Sequence, residues 1–325
     1  MSISEENPLD VEPSAVIARQ AVALGYGEPT EVIDLITAEL PSPQDDQVRV
    51  KVRAVGLNPV DAKVVRGFMG TDESTLPLHP GYELAGTVEA IGDEVADFGV
   101  GDEVVVYPTT GALADHVIVD ASRLRRRPAE VSPEIAAGLL LAGATAADTL
   151  ATAGITAGDV VVVHGGAGAV GVVAVQLATR AGATVIATAS PRNHEYLKSL
   201  GAIPVAYGAG LADRIREVTP GPVTAAIDTV GSDEAIDVSL QLVPDRSRIV
   251  SIAAFGRADD GIVLVSGGGG QSLQHRLDAI DDLLAAAADG SLVIEVARTY
   301  PLDDAAQAIA DLSARHPRGK LVVIP

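Results

Sequence analysis

The residues with the most chemistry in them stand close together: Val160-Val-Val-Val-His164-Gly165-Gly166-Ala167-Gly168-Ala169-Val170-Gly171. Gly166, Gly168 and Gly171 fit the spacing G-x-G-x-x-G. In such a turn the first glycine allows the bend, the second lets backbone approach a diphosphate, and the third lets a helix pack on a strand. The N–H groups from Gly166 through Ala167, Gly168 and Ala169 to Val170 would then meet phosphate oxygens at a helix N-terminus, where the dipole favours negative charge. The competing reading is a glycine-rich turn that is only structural. About twenty residues on, the chain reads Ala187-Thr-Ala-Ser190-Pro-Arg192-Asn193-His194, with no carboxylate to hold a ribose 2′-hydroxyl. Ser190 can donate to a phosphate and Arg192 can grip one with its fork. This pair predicts NADP(H) rather than NAD(H). Ser190 can also act as an N-cap with Pro191 at the first helical position, and the two roles are compatible.

These groups need a strand–turn–helix–strand frame, and the flanking sequence supplies it. Four consecutive Val residues read as a buried parallel strand, Val172 to Ala178 as a helix, and Thr184–Thr188 as the next strand. Further strand patterns follow at Ile203–Ala206, Ala225–Asp228, Arg248–Ile252 and Ile262–Val265. The fold class is therefore α/β, a doubly wound parallel sheet over residues 129–290. Ala253, Ala254 and Phe255 end one of these strands, where their backbone could hold a nicotinamide amide. Ser266 and Gly267, which open the run to Gly270, follow the last strand. That run is either a mobile loop or a lid over the same ring. Gln271 to Ala288 reads as one long amphipathic helix. Before this region, short strands with Gly/Pro punctuation predict a barrel-like β domain over 15–128. In one of them, Gln47 to Gly56, Val48, Val50 and Val52 share a face opposite the charges. Lys63 to Gly67 reads as a short helix or turn. Residues 291–325 are too few for a domain and are expected to complete the first one. Residues 1–14 read as a loose tail.

The bulk numbers narrow the function classes. The net charge of −21 argues against nucleic-acid binding. The absence of Cys removes disulfides and thiolate metal sites, and the six His never pair at ligand spacing, so no metal is expected. The acidic start, Met1–Pro13, does not resemble a signal peptide, and no uninterrupted apolar run is long enough for a bilayer. A cytoplasmic protein without membrane contact is the expectation.

Several segments together resemble the medium-chain dehydrogenase/reductase superfamily, in its zinc-independent quinone oxidoreductase (zeta-crystallin-like) branch. They are Gly56-Leu-Asn-Pro-Val-Asp61, Pro80-Gly-Tyr-Glu-Leu-Ala-Gly-Thr-Val88, Val100-Gly-Asp-Glu-Val104, Ala142-Gly-Ala-Thr-Ala146, His164 to Gly171, Asp228-Thr-Val-Gly231 and Gly319-Lys-Leu-Val322. The resemblance implies a GroES-like β-barrel domain followed by a Rossmann domain. It also implies hydride transfer from NADPH to a quinone or an α,β-unsaturated carbonyl, and a homodimer paired through the last Rossmann strand, Val263-Leu-Val265. Asn58 and Tyr82 stand where zinc-dependent relatives place Cys and His. Thr145 resembles the Thr beside the nicotinamide ribose, and Tyr207 a Tyr near the 2′-phosphate or adenine. Lys63 and Ala147 stand where many of these reductases carry Tyr. The oxygen of a reduced carbonyl needs hydrogen-bond donors, for which Asn58, Lys63 and Tyr82 are the candidates. Asp61 is expected to anchor its loop and Glu83 to be structural. The missing Tyr residues keep a second class open: a nucleotide-binding member of the fold with little reductase activity, including one with non-redox chemistry. The substrate is expected to be a small apolar molecule.

Overall fold

The computed structural model describes residues 15–313 and 318–325; the expected tail, 1–14, lies outside them. Antiparallel strands β1 (Val16–Ala23) and β2 (Ile33–Leu40) flank a single turn, α1 (Pro29–Val32). β3 (Gln47–Gly56) then buries Val48, Val50 and Val52, as its alternation requires. Its opposite face is less exposed than expected: Arg49 is buried too, with Nε 2.8 Å from Glu89. α2 (Pro59–Val65) starts earlier than the expected turn at Lys63. Pro59 sets the helical φ at the first position, and the Asn58 N–H donates to Asp61 Oδ2 at 2.8 Å.

The chain continues through β4 (Leu84–Ile91), β5 (Glu103–Val106), β6 (His116–Asp120) and β7 (Leu124–Arg126). Then comes the 20-residue helix α3 (Pro133–Thr152), capped by the Ser132 side chain. By length and composition α3 could cross a membrane, although Gly138, Gly143 and Asp148 interrupt its apolar run. However, 72% of its most apolar 18-residue stretch is buried inside the protein. It packs on β3 and β4 from one side and on the next helix, α4, from the other.

The parallel sheet is built from β8 (Val160–His164), α4 (Ala169–Arg180), β9 (Thr184–Thr188), α5 (His194–Ser199), β10 (Ile203–Val205), α6 (Leu211–Val218), β11 (Ala225–Asp228), α7 (Asp233–Leu242), β12 (Ile249–Ser251) and β13 (Val263–Leu264). Its strand order is β10-β9-β8-β11-β12-β13 and every pairing is parallel. The order reverses beside β8, so a crevice opens there at the carboxyl ends of the strands. The segment after β13 is two helices rather than one, α8 (Gly270–Asp278) and α9 (Ile280–Ala288). They part at Ala279 because different partners hold them. α8 is tied to α3 by Arg276, whereas α9 lays Ile280, Leu283 and Leu284 into the core. Finally, β14 (Val296–Pro301), α10 (Ala305–Asp311) and β15 (Lys320–Ile324) return the chain to the first sheet. That sheet runs β14-β15-β3-β4-β5-β7, with β6 also on β3.

Candidate active site

The glycine turn after β8 opens onto a cavity of about 650 Å³. The left-handed residue of the turn is Gly165 (φ +76), not Gly166 as the motif spacing suggests. Gly166 serves packing instead, because a Cβ there would stand 2.7 Å from the Cβ of Ala187 on β9. Gly171 keeps its expected role, since a Cβ would overlap the Gly165 carbonyl oxygen. Gly168 is the N-cap of α4 and offers no side chain to it. The first-turn N–H groups of α4 are thus left for an anion.

The cavity wall brings together Ala167, Gly168, Ala169, Ser190, Arg192 and Tyr207. Ser190 is the N-cap of the short 3₁₀ turn Pro191–Asn193, and its Oγ accepts from Asn193 Nδ2 at 3.3 Å. Arg192 is exposed and makes no ion pair among the described residues. Tyr207 is 61% exposed, its ring free for a planar ligand. Arg318, which the sequence pattern did not single out, reaches the same wall from the C-terminal segment. Its guanidinium lies 3.7 Å from the Tyr196 ring centroid and pairs with Glu295 at 2.7 Å. Among the described residues the only carboxylate on this wall is Glu234, which accepts from the Gly208 N–H at 3.0 Å. His164 is fully buried at the end of β8, where loss of solvent pushes its imidazole down to about 4. The Ser239 hydroxyl donates to the Ala235 carbonyl, so Ser239 Oγ accepts from His164 Nε2, and His164 Nδ1 is left as an unpartnered acceptor.

Gly166 lies within the turn and Val170 on α4, outside the cavity lining. Thr145, Ala253, Ala254, Phe255, Ser266 and Gly267 also lie outside it. The last five follow β12 and β13, further along the same carboxyl edge of the sheet. The turn after β12 is shaped by a buried pair: Ser251 Oγ donates to Asp228 Oδ2 at 2.6 Å and accepts from the N–H groups of Ala253 and Ala254. Asp228 Oδ1 also accepts from Val230 and Gly231 N–H, so one carboxylate fixes the loops after β11 and β12. Thr145 is 5% exposed, on the face of α3 that also carries Leu141 and Asp148.

The three proposed donors have different surroundings. Asn58 is 2% exposed and its amide is fully used: Nδ2 donates to Glu83 Oε1 (2.9 Å) and Gly56 O (3.3 Å), and Oδ1 accepts from Lys320 Nζ (2.6 Å). It belongs to the scaffold. Glu83 closes that cluster, taking Lys320 Nζ at 3.2 Å on Oε1 and the Leu141 N–H at 2.7 Å on Oε2. Asp61, fully buried beside it, accepts from the Asn58 and Gly81 N–H groups, and burial raises its carboxyl to about 6. Lys63 is exposed in the last turn of α2. Tyr82 is half-buried, and its hydroxyl makes no hydrogen bond among the described residues. Burial and the Asp61 charge push that phenol up to about 12, so it keeps its proton and can donate.

The buried ammonium of Lys320 therefore neutralises the carboxylate beside Asn58 and Tyr82. Among the described residues no group of three or more His, Cys, Asp and Glu is placed to hold a metal ion. Lys320 was visible in the sequence as a charge opening an apolar run, Lys320-Leu-Val-Val-Ile324, and Glu83 as a structural acid, although their pairing was not.

Residues 44–129 match the family model of the alcohol dehydrogenase GroES-like domain, and residues 200–323 that of zinc-binding dehydrogenase. The chain is 30% identical to the chloroplastic NADPH-dependent alkenal/one oxidoreductase of Arabidopsis thaliana, over 100% of this chain and 84% of that one. It is 31% identical to a quinone oxidoreductase of Pseudomonas aeruginosa, over 95% and 100%. The solved structure of Escherichia coli quinone oxidoreductase complexed with NADPH superposes with a TM-score of 0.83 at 26% identity, covering 94% of this chain and all of that one.

Proposed function

Because the chain belongs to the medium-chain dehydrogenase/reductase superfamily, in its quinone oxidoreductase branch, we propose that it is an NADPH-dependent reductase of a quinone or an α,β-unsaturated carbonyl. The observation that carries this reading is the cavity at the β8 turn. It has an uncapped helix start and, among the described residues, Ser190, two guanidinium groups and one carboxylate, which is turned to backbone. That donor set suits a diphosphate and a 2′-phosphate. NADPH, when bound, supplies the hydride. The chain's part is to place the acceptor carbon and to donate to the oxygen on which charge develops. Tyr82 carries that donation, because Asn58 is committed to the scaffold and Lys63 faces solvent. The carboxyl edge after β12 and β13, with Thr145 across from it, receives the nicotinamide end.

Residues 15–128 with 291–325 form the substrate-side domain and 129–290 the nucleotide domain, a division supported by the pairing of β15 with β3. The protein acts in the cytoplasm as a homodimer joined through β13, the last strand of its sheet, whose Val263 and Leu264 are only partly buried. Sedimentation giving a monomer at micromolar concentration would exclude the dimer.

The deciding experiment is a fluorescence titration with NADPH and with NADH, on wild type and Arg192→Ala. Losing one charge-assisted contact costs about 1.5–3 kcal/mol, roughly tenfold or more in Kd. The expected outcome is a weakened NADPH complex and an unchanged NADH complex. Equal effects on both nucleotides overturn the assignment of NADP(H). A second reading, nucleotide binding with little reductase activity, is favoured by the loss of two of three donors to scaffold and solvent. NADPH binding without turnover across a quinone and enone panel would establish it.

A further inference from the structure

A second buried polar cluster lies apart from the cavity, and the reaction as described leaves it unused. Its centre is Asp148 on α3, which is fully buried. Asp148 Oδ2 accepts from Ser272 Oγ at 2.5 Å and from Arg276 Nε at 3.0 Å; Oδ1 takes His275 Nδ1 at 3.2 Å and Thr152 Oγ1 at 3.3 Å. Three of those four partners are on α8, the helix that begins where the glycine run ends. The cluster also reaches into the run. The Gly267 N–H donates to Ser272 Oγ at 3.2 Å. The Arg276 guanidinium lies flat against Gly267, so that a Cβ there would overlap its Cζ and Nη1. Tyr107, the residue that follows β5 and is 6% exposed, lies close enough for the Arg276 charge to oppose the upward push that burial gives its phenol.

This is an expensive way to pack two helices. Apolar side chains of similar volume would hold α8 on α3 as well or better, because both charges here are taken out of water. What a carboxylate and a planar guanidinium add is direction, since each hydrogen bond fixes an angle as well as a distance. The directions converge on one place. Leu141, Thr145 and Asp148 share a face of α3. Gly267 is on the loop after β13, and Tyr107 comes from the other sheet. We propose that Arg276, fixed by Asp148, is a positioning residue for the nicotinamide end of the bound cofactor: its guanidinium supports Gly267 and so holds the loop after β13 in place. The inference rests on the NADPH reductase reading and assigns it a part that the phosphate-binding residues do not cover.

The test separates the two ends of the nucleotide. Arg276→Lys keeps the charge and most of the volume but loses the flat face and the fork. Ser272→Ala removes only the link from Asp148 to the Gly267 N–H. Calorimetry measures the Kd of each variant for NADPH and for adenosine 2′,5′-bisphosphate, which lacks the nicotinamide end, alongside kcat and KM with a quinone. The expected result for Arg276→Lys is NADPH binding weakened roughly tenfold, equivalent to about 1.4 kcal/mol. The bisphosphate should bind unchanged, and kcat should fall. Ser272→Ala should shift in the same direction by less. A loss shared equally by both nucleotides, or by neither, overturns the proposal, because a purely structural clamp has no reason to distinguish them. Should Arg276→Lys fail to fold, Ser272→Ala decides alone by the same comparison. Failure of the wild type to bind NADPH is a different result: it removes the function first and the positioning role with it.

Discussion

Lys320→Met is the sharpest perturbation of the network beneath the candidate donors. Lys320 is 4% exposed, and its ammonium stands 2.6 Å from Asn58 Oδ1 and 3.2 Å from Glu83 Oε1. Met keeps the apolar stem, which packs against Gly138, and deletes only the charge. Glu83 is then left 1% exposed with Asn58 Nδ2 and the Leu141 N–H as its remaining partners. Removing one member of a buried pair costs about 3–5 kcal/mol, most of it the penalty of the charge left behind. The chain has no Trp, so equilibrium urea unfolding followed by circular dichroism is the suitable assay. If the cost does come from the stranded carboxylate, Lys320→Met/Glu83→Gln should be more stable than Lys320→Met alone. Recovery should be partial, because the amide that replaces Glu83 cannot accept from both Asn58 and Leu141. A loss below about 1 kcal/mol for Lys320→Met, well short of the buried-pair figure, or a double variant less stable than the single one, would refute this account.

The same geometry has other consequences. Asp61, raised to about 6 from its usual 3.8, holds its proton more tightly in the fold than in the unfolded chain. Its stabilising contribution is complete below about pH 4 and is lost as pH rises through 6, a change of about 3 kcal/mol. Wild type should show this slope and Asp61→Asn should not; parallel stability curves from pH 4 to 7 would remove the premise. Tyr82→Phe should lower kcat on the order of a hundredfold with NADPH affinity intact, read by steady-state kinetics with a quinone, and an unchanged kcat strips Tyr82 of its role. Gly171→Ala should cost about 1–3 kcal/mol of stability by overpacking, because its methyl overlaps the Gly165 carbonyl, and should weaken nucleotide binding in calorimetry.

The parallel sheet was legible because its signals are local. Val160 to Val163 must be buried wherever that strand lies, and the glycine spacing marks the turn and the helix start behind it. Even there the spacing misplaced the bend by one residue. The G-x-G-x-x-G pattern does not say which of two adjacent glycines carries the positive φ; the contact of Gly166 with Ala187 decides it, and Ala187 is on another strand. The helix after β13 failed in the same way. Gln271 to Ala288 has a continuous helical pattern, but Arg276 is drawn to Asp148 on α3 while α9 turns into the core.

The candidate site was legible only where one segment supplies it. Ser190 and Arg192 stand two residues apart and do face the same cavity as the glycine turn. Asn58 could not be judged from its own surroundings in the chain, because the groups that occupy its amide come from positions 83 and 320. Residue types alone suggested a donor for substrate; the fold spends that amide on holding a carboxylate and a lysine together. The same reasoning explains why Asp148 and Arg276 went unnoticed. A lone Asp in an Ala/Leu-rich helix signals that something must pair with it, because a buried carboxylate without a partner is too costly to keep. Only the packing of α8 on α3 names that partner, 128 residues away.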